Sequence, residues 1–82
     1  MNIDMIQEKM KAFLKSRNPD LDLARLKENI PLVTVFNWDS VEYVSFIIEV
    51  ETLFGRQFIS PDIYNMNNSF LDFIKIMEQE FI

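Results

Sequence analysis

The chain contains no cysteine and no histidine. Without cysteine there is no disulfide, no thiolate nucleophile and no thiolate metal site, a composition that suits a reducing compartment. Without histidine the commonest general base is missing, so no Ser-His or Cys-His arrangement can be assembled. No apolar run approaches the length needed to span a bilayer, and no N-terminal segment joins a basic region to an apolar run. The expectation is a soluble protein of the cytoplasm. Basic residues are scarce beyond position 27: residues 28–82 hold only Arg56 and Lys75 against nine carboxylates, a net −7, whereas the first 27 residues carry +2. That acidic bias argues against a nucleic-acid backbone as ligand and suits a basic protein partner, or simply a solvated surface.

What is present is a core. Of 82 residues, 49% are hydrophobic and eight are Phe, too apolar a mixture to stay disordered and enough large side chains to close one small domain over residues 1–82. The periodicity predicts a first helix over 2–17, with Ile3, Ile6, Met10, Phe13 and Leu14 on one face and Asn18-Pro19 ending it. The connection that follows is too long to be structureless; Asp22 is placed to cap a short turn in which Leu23, Leu26 and Ile30 share a face before Pro31. Leu32-Val33-Thr34-Val35-Phe36 has strand-like composition, with Arg56-Gln57-Phe58-Ile59 the only other strand candidate; because two isolated short strands would be marginal, the first is expected as an extended segment laid across a helical core.

The strongest helix signal begins at Trp38-Asp39-Ser40-Val41-Glu42. Asp39 is a good N-cap, and Glu42 can reach back in a capping box, which makes Ser40 the first helical residue. Val41, Val44, Ile47, Ile48 and Phe54 then recur as a stripe until Gly55 supplies a stop, giving a helix over 40–54. Ser60-Pro61-Asp62 opens a short helix to about Asn65. Ser69, with Asp72 three residues on, opens a last helix in which Phe70, Phe73, Ile74, Met77 and Phe81 form an apolar face. The expected fold is all-α: a small four-helix bundle of three main helices plus one short helix, with a long first loop.

A hydroxyl at a helix N-terminus lies beside unpaired N–H groups and the positive end of the helix dipole, so a phosphate ester on Ser40 would be electrostatically favoured. With no base or nucleophile pair nearby, Ser40 reads as a residue acted on by another protein, and the chain as a non-enzyme. Trp38 fits a loop anchor better than a ligand contact. Ile47, Phe54, Phe73 and Met77 read as core and Ile48 as exposed. Glu49 and Glu51, two apart on a helix, point to different faces, so no dedicated metal site follows.

The whole pattern resembles an acyl carrier protein. The order helix, long loop, Asp-Ser-aliphatic at a helix start, Phe-Gly at that helix's end, short helix and Ser-x-x-Asp opening a final helix covers essentially the entire chain. Its most specific part is Trp38-Asp39-Ser40-Val41 followed by Phe46-Ile47-Ile48-Glu49-Val50-Glu51-Thr52-Leu53-Phe54-Gly55. The resemblance implies that Ser40 receives a covalent 4′-phosphopantetheine arm, derived from coenzyme A, from a phosphopantetheinyl transferase. The arm's thiol would carry acyl or aminoacyl groups as thioesters between loading and condensing enzymes. It also implies that the core can shelter a fatty chain, and that Asp39, Val41, Glu42, Ile48, Glu49 and Glu51 form the face that partners read, with the protein acting as a freely shuttling monomer. The departures are Val41 in place of the usual leucine, Asn37-Trp38 before Asp-Ser in place of a small glycine-containing pair, and Ser45 and Thr52 where many fatty-acid carriers have carboxylates. They point to a specialised carrier in polyketide, nonribosomal-peptide, lipopeptide or D-alanine chemistry. The alternative is an unmodified acidic helical adaptor that binds a basic protein partner through the same surface.

Overall fold

The structure is a computed structural model that describes residues 2–82. Four α-helices follow in order: α1 (Ile3–Arg17), α2 (Leu32–Phe36), α3 (Ser40–Phe54) and α4 (Phe70–Phe81), with 3₁₀ turns at Leu23–Lys27 and Pro61–Tyr64. No strand is present among the described residues, and none of the helices is long and apolar enough to cross a membrane. The expected all-α bundle with three main helices and a long first connection is therefore what the chain forms.

Local chemistry sets the helix ends. The Asn2 side chain accepts the Met5 N–H at 2.9 Å, and α1 ends at Asn18, which precedes Pro19. Asp22 caps the first 3₁₀ turn by accepting the Ala24 N–H at 3.0 Å. Of the three residues expected on that turn's inner face, Leu26 is buried, Ile30 half-buried and Leu23 exposed. Ser69 and Asp72 form a reciprocal capping box at the start of α4. Gly55 ends α3 at φ 66°, with nothing within 4 Å of where a Cβ would stand. The left-handed backbone, and not lack of space, is what makes glycine fit there.

One expected element is different. Leu32–Phe36 is not extended but a single α-helical turn, closed by Val35 N–H to Pro31 O at 3.1 Å and ended by Asn37 in the left-handed conformation at φ 55°. β-Branched residues disfavour helix by only a few tenths of a kcal/mol each, so tertiary packing outweighs them over so short a run. Here Leu32 is buried in the core, and its N–H reaches Asn68 O at 3.0 Å, fastening the start of α2 to the residue before the α4 cap. The segment after Ser60, expected as a short helix to about Asn65, is the tighter 3₁₀ turn.

The core is one cluster. Ile6, Met10 and Leu14 of α1 meet Phe70, Phe73, Ile74, Met77 and Phe81 of α4, and α3 contributes Tyr43, Phe46, Ile47 and Val50. Phe46 is at its centre, with ring centroids 4.8 Å from Trp38, 5.3 Å from Phe73 and 6.1 Å from Phe13. The inner face of α3 is therefore not the expected stripe. Ile47 and Phe54 do belong to it, but Val41 and Val44 lie outside, at 71% and 40% exposure, because the larger side chains of Tyr43 and Phe46 take the buried side.

Tyr43 carries the one buried phenol. Its OH donates to Ile63 O at 2.7 Å and accepts from Asn68 Nδ2 at 3.3 Å, tying α3 to the second 3₁₀ turn and to the approach of α4. Burial raises the Tyr43 pKa above its ordinary 10.0, and the Asn68 hydrogen bond offsets only part of that. The folded chain thus holds this proton more tightly than the unfolded chain does. The resulting stability is fully present below pH 10.0 and is lost as pH rises through the folded value. Tyr43→Phe should cost about 1 kcal/mol near neutrality, because Ile63 O loses its 2.7 Å donor and keeps only the longer contact from Asn68 Nδ2 at 3.4 Å. Urea unfolding of both proteins along a pH series should show the gap between them narrowing above pH 10; a constant gap would contradict this assignment.

Candidate functional site

The start of α3 is organised by three consecutive side chains. Asp39 Oδ1 accepts the Glu42 N–H at 2.8 Å, and Glu42 Oε1 accepts the Asp39 N–H at 3.3 Å, so the capping box read from the sequence is complete. Such a cap contributes about 1 kcal/mol and, more to the point, fixes where the helix begins. Ser40 is the first helical residue and is exposed. Of the neighbouring first-turn amides, that of Glu42 is taken by Asp39, while those of Ser40 and Val41 have no protein acceptor among the described residues. The hydroxyl thus projects into solvent at the positive end of a helix of 15 residues.

The approach to Ser40 is packed against the core. Trp38 stacks on Phe36 with centroids 4.7 Å apart and lies 4.8 Å from Phe46, and its backbone N–H donates to Val33 O at 2.9 Å. It is the anchor that its position suggests: α2, the Asn37 turn and the first turn of α3 are pinned to the core through one indole.

Six residues beside Ser40 were candidates for a partner face, and the structure distributes them. Asp39, Val41 and Glu42 surround the hydroxyl, all exposed. Ile48 is 54% exposed and, with Val41 and Val44, makes an apolar stripe at helical spacing that runs from beside Ser40 along the solvent side of α3. Ile48 also borders an open groove of about 320 Å³ with Phe13, Thr52 and Leu53. Glu49 lines the same groove and forms an ion pair across it with Arg17 of α1. Glu51 turns toward the segment after α3 and accepts the Phe58 N–H at 2.8 Å. The carboxylates of the second half of α3 are thus engaged within the chain, and the continuous feature next to Ser40 is apolar. Val44 is the part of that face the sequence did not single out; its spacing of three from Val41 and four from Ile48 was the available signal.

Among the described residues no cluster of three or more carboxylates converges to hold a metal ion. No family model, curated protein or solved structure matches the chain.

Proposed function

We propose that this chain is a carrier protein, with Ser40 as the attachment point for a 4′-phosphopantetheine arm that holds acyl or aminoacyl groups as thioesters. The observation that carries this reading is the exposed Ser40 hydroxyl at the first position of α3, held there by the Asp39–Glu42 capping box and flanked by free amides. On attachment, the Ser40 oxygen attacks the phosphorus adjoining pantetheine in coenzyme A, the anhydride bond breaks, and adenosine bisphosphate leaves. The hydroxyl proton goes to a base of the phosphopantetheinyl transferase, since the chain has no histidine and the neighbouring Asp39 and Glu42 carboxylates are engaged in the capping box. The phosphodiester so formed sits where the α3 dipole favours an anion.

The arm performs the chemistry and the protein supplies delivery. Val41, Val44 and Ile48 offer a partner enzyme a small apolar strip leading to the arm, with Asp39 and Glu42 as the nearest charges. A strip of this size supports brief contact with loading and condensing enzymes, which suits a monomer that must be released after each transfer. The departures from the usual carrier motif favour a specialised pathway, in polyketide, nonribosomal-peptide or lipid chemistry.

The test is intact mass after incubation with coenzyme A and a broad-specificity phosphopantetheinyl transferase. The wild type should gain one phosphopantetheinyl group, and Ser40→Ala none, with unchanged helical content. No gain on the folded wild type, with this transferase and with more selective ones, would remove the carrier reading. An unmodified acidic adaptor would then account better for the surface.

A further inference from the structure

The segment between α3 and the second 3₁₀ turn is fastened in an unusual way. Phe58, Ile59 and Ser60 present three successive N–H groups, and all three are accepted by carboxylates from two different helices. Glu51 of α3 takes Phe58 at 2.8 Å, while one oxygen of Glu80 of α4 takes both Ile59 at 2.6 Å and Ser60 at 3.1 Å. Among the described residues the backbone-to-backbone ties lie at the segment's ends, Arg56 N–H to Glu51 O and Ile63 N–H to Ser60 O. Its side chains divide as well. Phe58 stacks on Phe81 at 4.9 Å and meets Phe73 edge-on at 5.7 Å, whereas Ile59 is 90% exposed.

The geometry points to a strap: residues 56–60 form a single opening unit, latched by Glu51 and Glu80 and plugged by Phe58, that lifts off the α3–α4 edge while the bundle stays folded. Three observations support this. Gly55, at φ 66°, gives the segment a pivot at one end, and Pro61 stiffens the other. The latch is charge-assisted, so each bond is strong, yet it is made of few bonds and is independent of the helix ladders; the strap's other tie to α4 is the Arg56 side chain, whose Nη1 donates to Phe81 O at 3.2 Å. The second oxygen of Glu80 is buried with no hydrogen-bond partner, a cost in the closed state that opening relieves by hydration. Opening withdraws Phe58 from Phe73 and Phe81 and uncovers the edge of the core between the two helices. The device is independent of any modification at Ser40.

Amide hydrogen exchange of the full chain, read by NMR, tests it with Glu80→Gln and Glu51→Gln, which keep the side-chain shape and remove the charge. A strap that opens as one unit predicts that Glu80→Gln speeds exchange about tenfold at Phe58 as well as at Ile59 and Ser60. Glu51→Gln should likewise speed all three, although its side chain touches only one. The amides of Met10 and Phe46 should keep their wild-type rates in both variants. If each variant affects only the amides it directly accepts, the segment is not one unit and the proposal fails. It fails equally if Met10 and Phe46 accelerate by the same factor, since the opening would then be global.

Discussion

Phe46→Ala should lower the stability of the chain by about 3–5 kcal/mol, the range for deleting a buried aromatic ring whose surroundings cannot collapse. Collapse is blocked on three sides, because Phe13, Trp38 and Phe73 each come from a different element and each is held by other contacts. A domain of this length has roughly 4–12 kcal/mol in total, so the variant should be close to unfolded at physiological temperature. Phe46→Leu refills most of the apolar volume and should lose clearly less. Urea denaturation followed by helical circular dichroism measures both. A loss below about 1 kcal/mol for Phe46→Ala would mean that the ring is not the keystone between α1, α3 and the Trp38 anchor.

Phe81→Ala is expected to be the next most damaging change, at about 3 kcal/mol. Phe81 is buried near the end of α4, where it stacks on Phe58, lies 5.7 Å from Phe54, and carries the Arg56 guanidinium over its ring at 5.4 Å. Arg56 Nη1 also donates to Phe81 O at 3.2 Å, a backbone contact that survives the substitution. The variant therefore removes packing and leaves this hydrogen bond, which separates the two contributions. Arg56→Met, which keeps an apolar stem and loses the charge, should cost well under half as much in the same urea experiment. Equal losses for the two variants would show that the guanidinium, and not the ring, closes this end of the bundle.

Much of this architecture is legible from residue order, for a local reason. Asp39-Ser40-Val41-Glu42 and Ser69-Phe70-Leu71-Asp72 write their helix starts within four residues; the Asp39–Glu42 capping box forms as read, and the Ser69 start carries one as well. Phe70, Phe73, Ile74, Met77 and Phe81 can lie on one face of a helix and no other, so the buried side of α4 was never ambiguous. The α3 helix was ambiguous because it carries two apolar stripes. Val41, Val44 and Ile48 follow helical spacing as well as Tyr43, Phe46, Ile47 and Val50 do, and only the volume available against α1 and α4 decides between them.

The candidate site divides in the same way. The position of Ser40 and the role of Trp38 follow from near neighbours in sequence. What happens to Glu49 and Glu51 depends on Arg17, far back in α1, and on the path of the chain after Gly55, neither of which a helical period encodes.

The single turn at Leu32–Phe36 has a consequence for the unfolded chain. It is a run of five residues without charge, glycine or internal proline, and its β-branched and aromatic content is that of a segment prone to cross-β stacking. Winding it into a helix and burying Leu32 hides its backbone donors and acceptors from other molecules. Pro31 on one side and Asp39 shortly beyond the other act as gatekeepers against extension of the stretch. The turn that leads the chain to Ser40 thus holds this stretch out of the extended conformation that cross-β stacking requires.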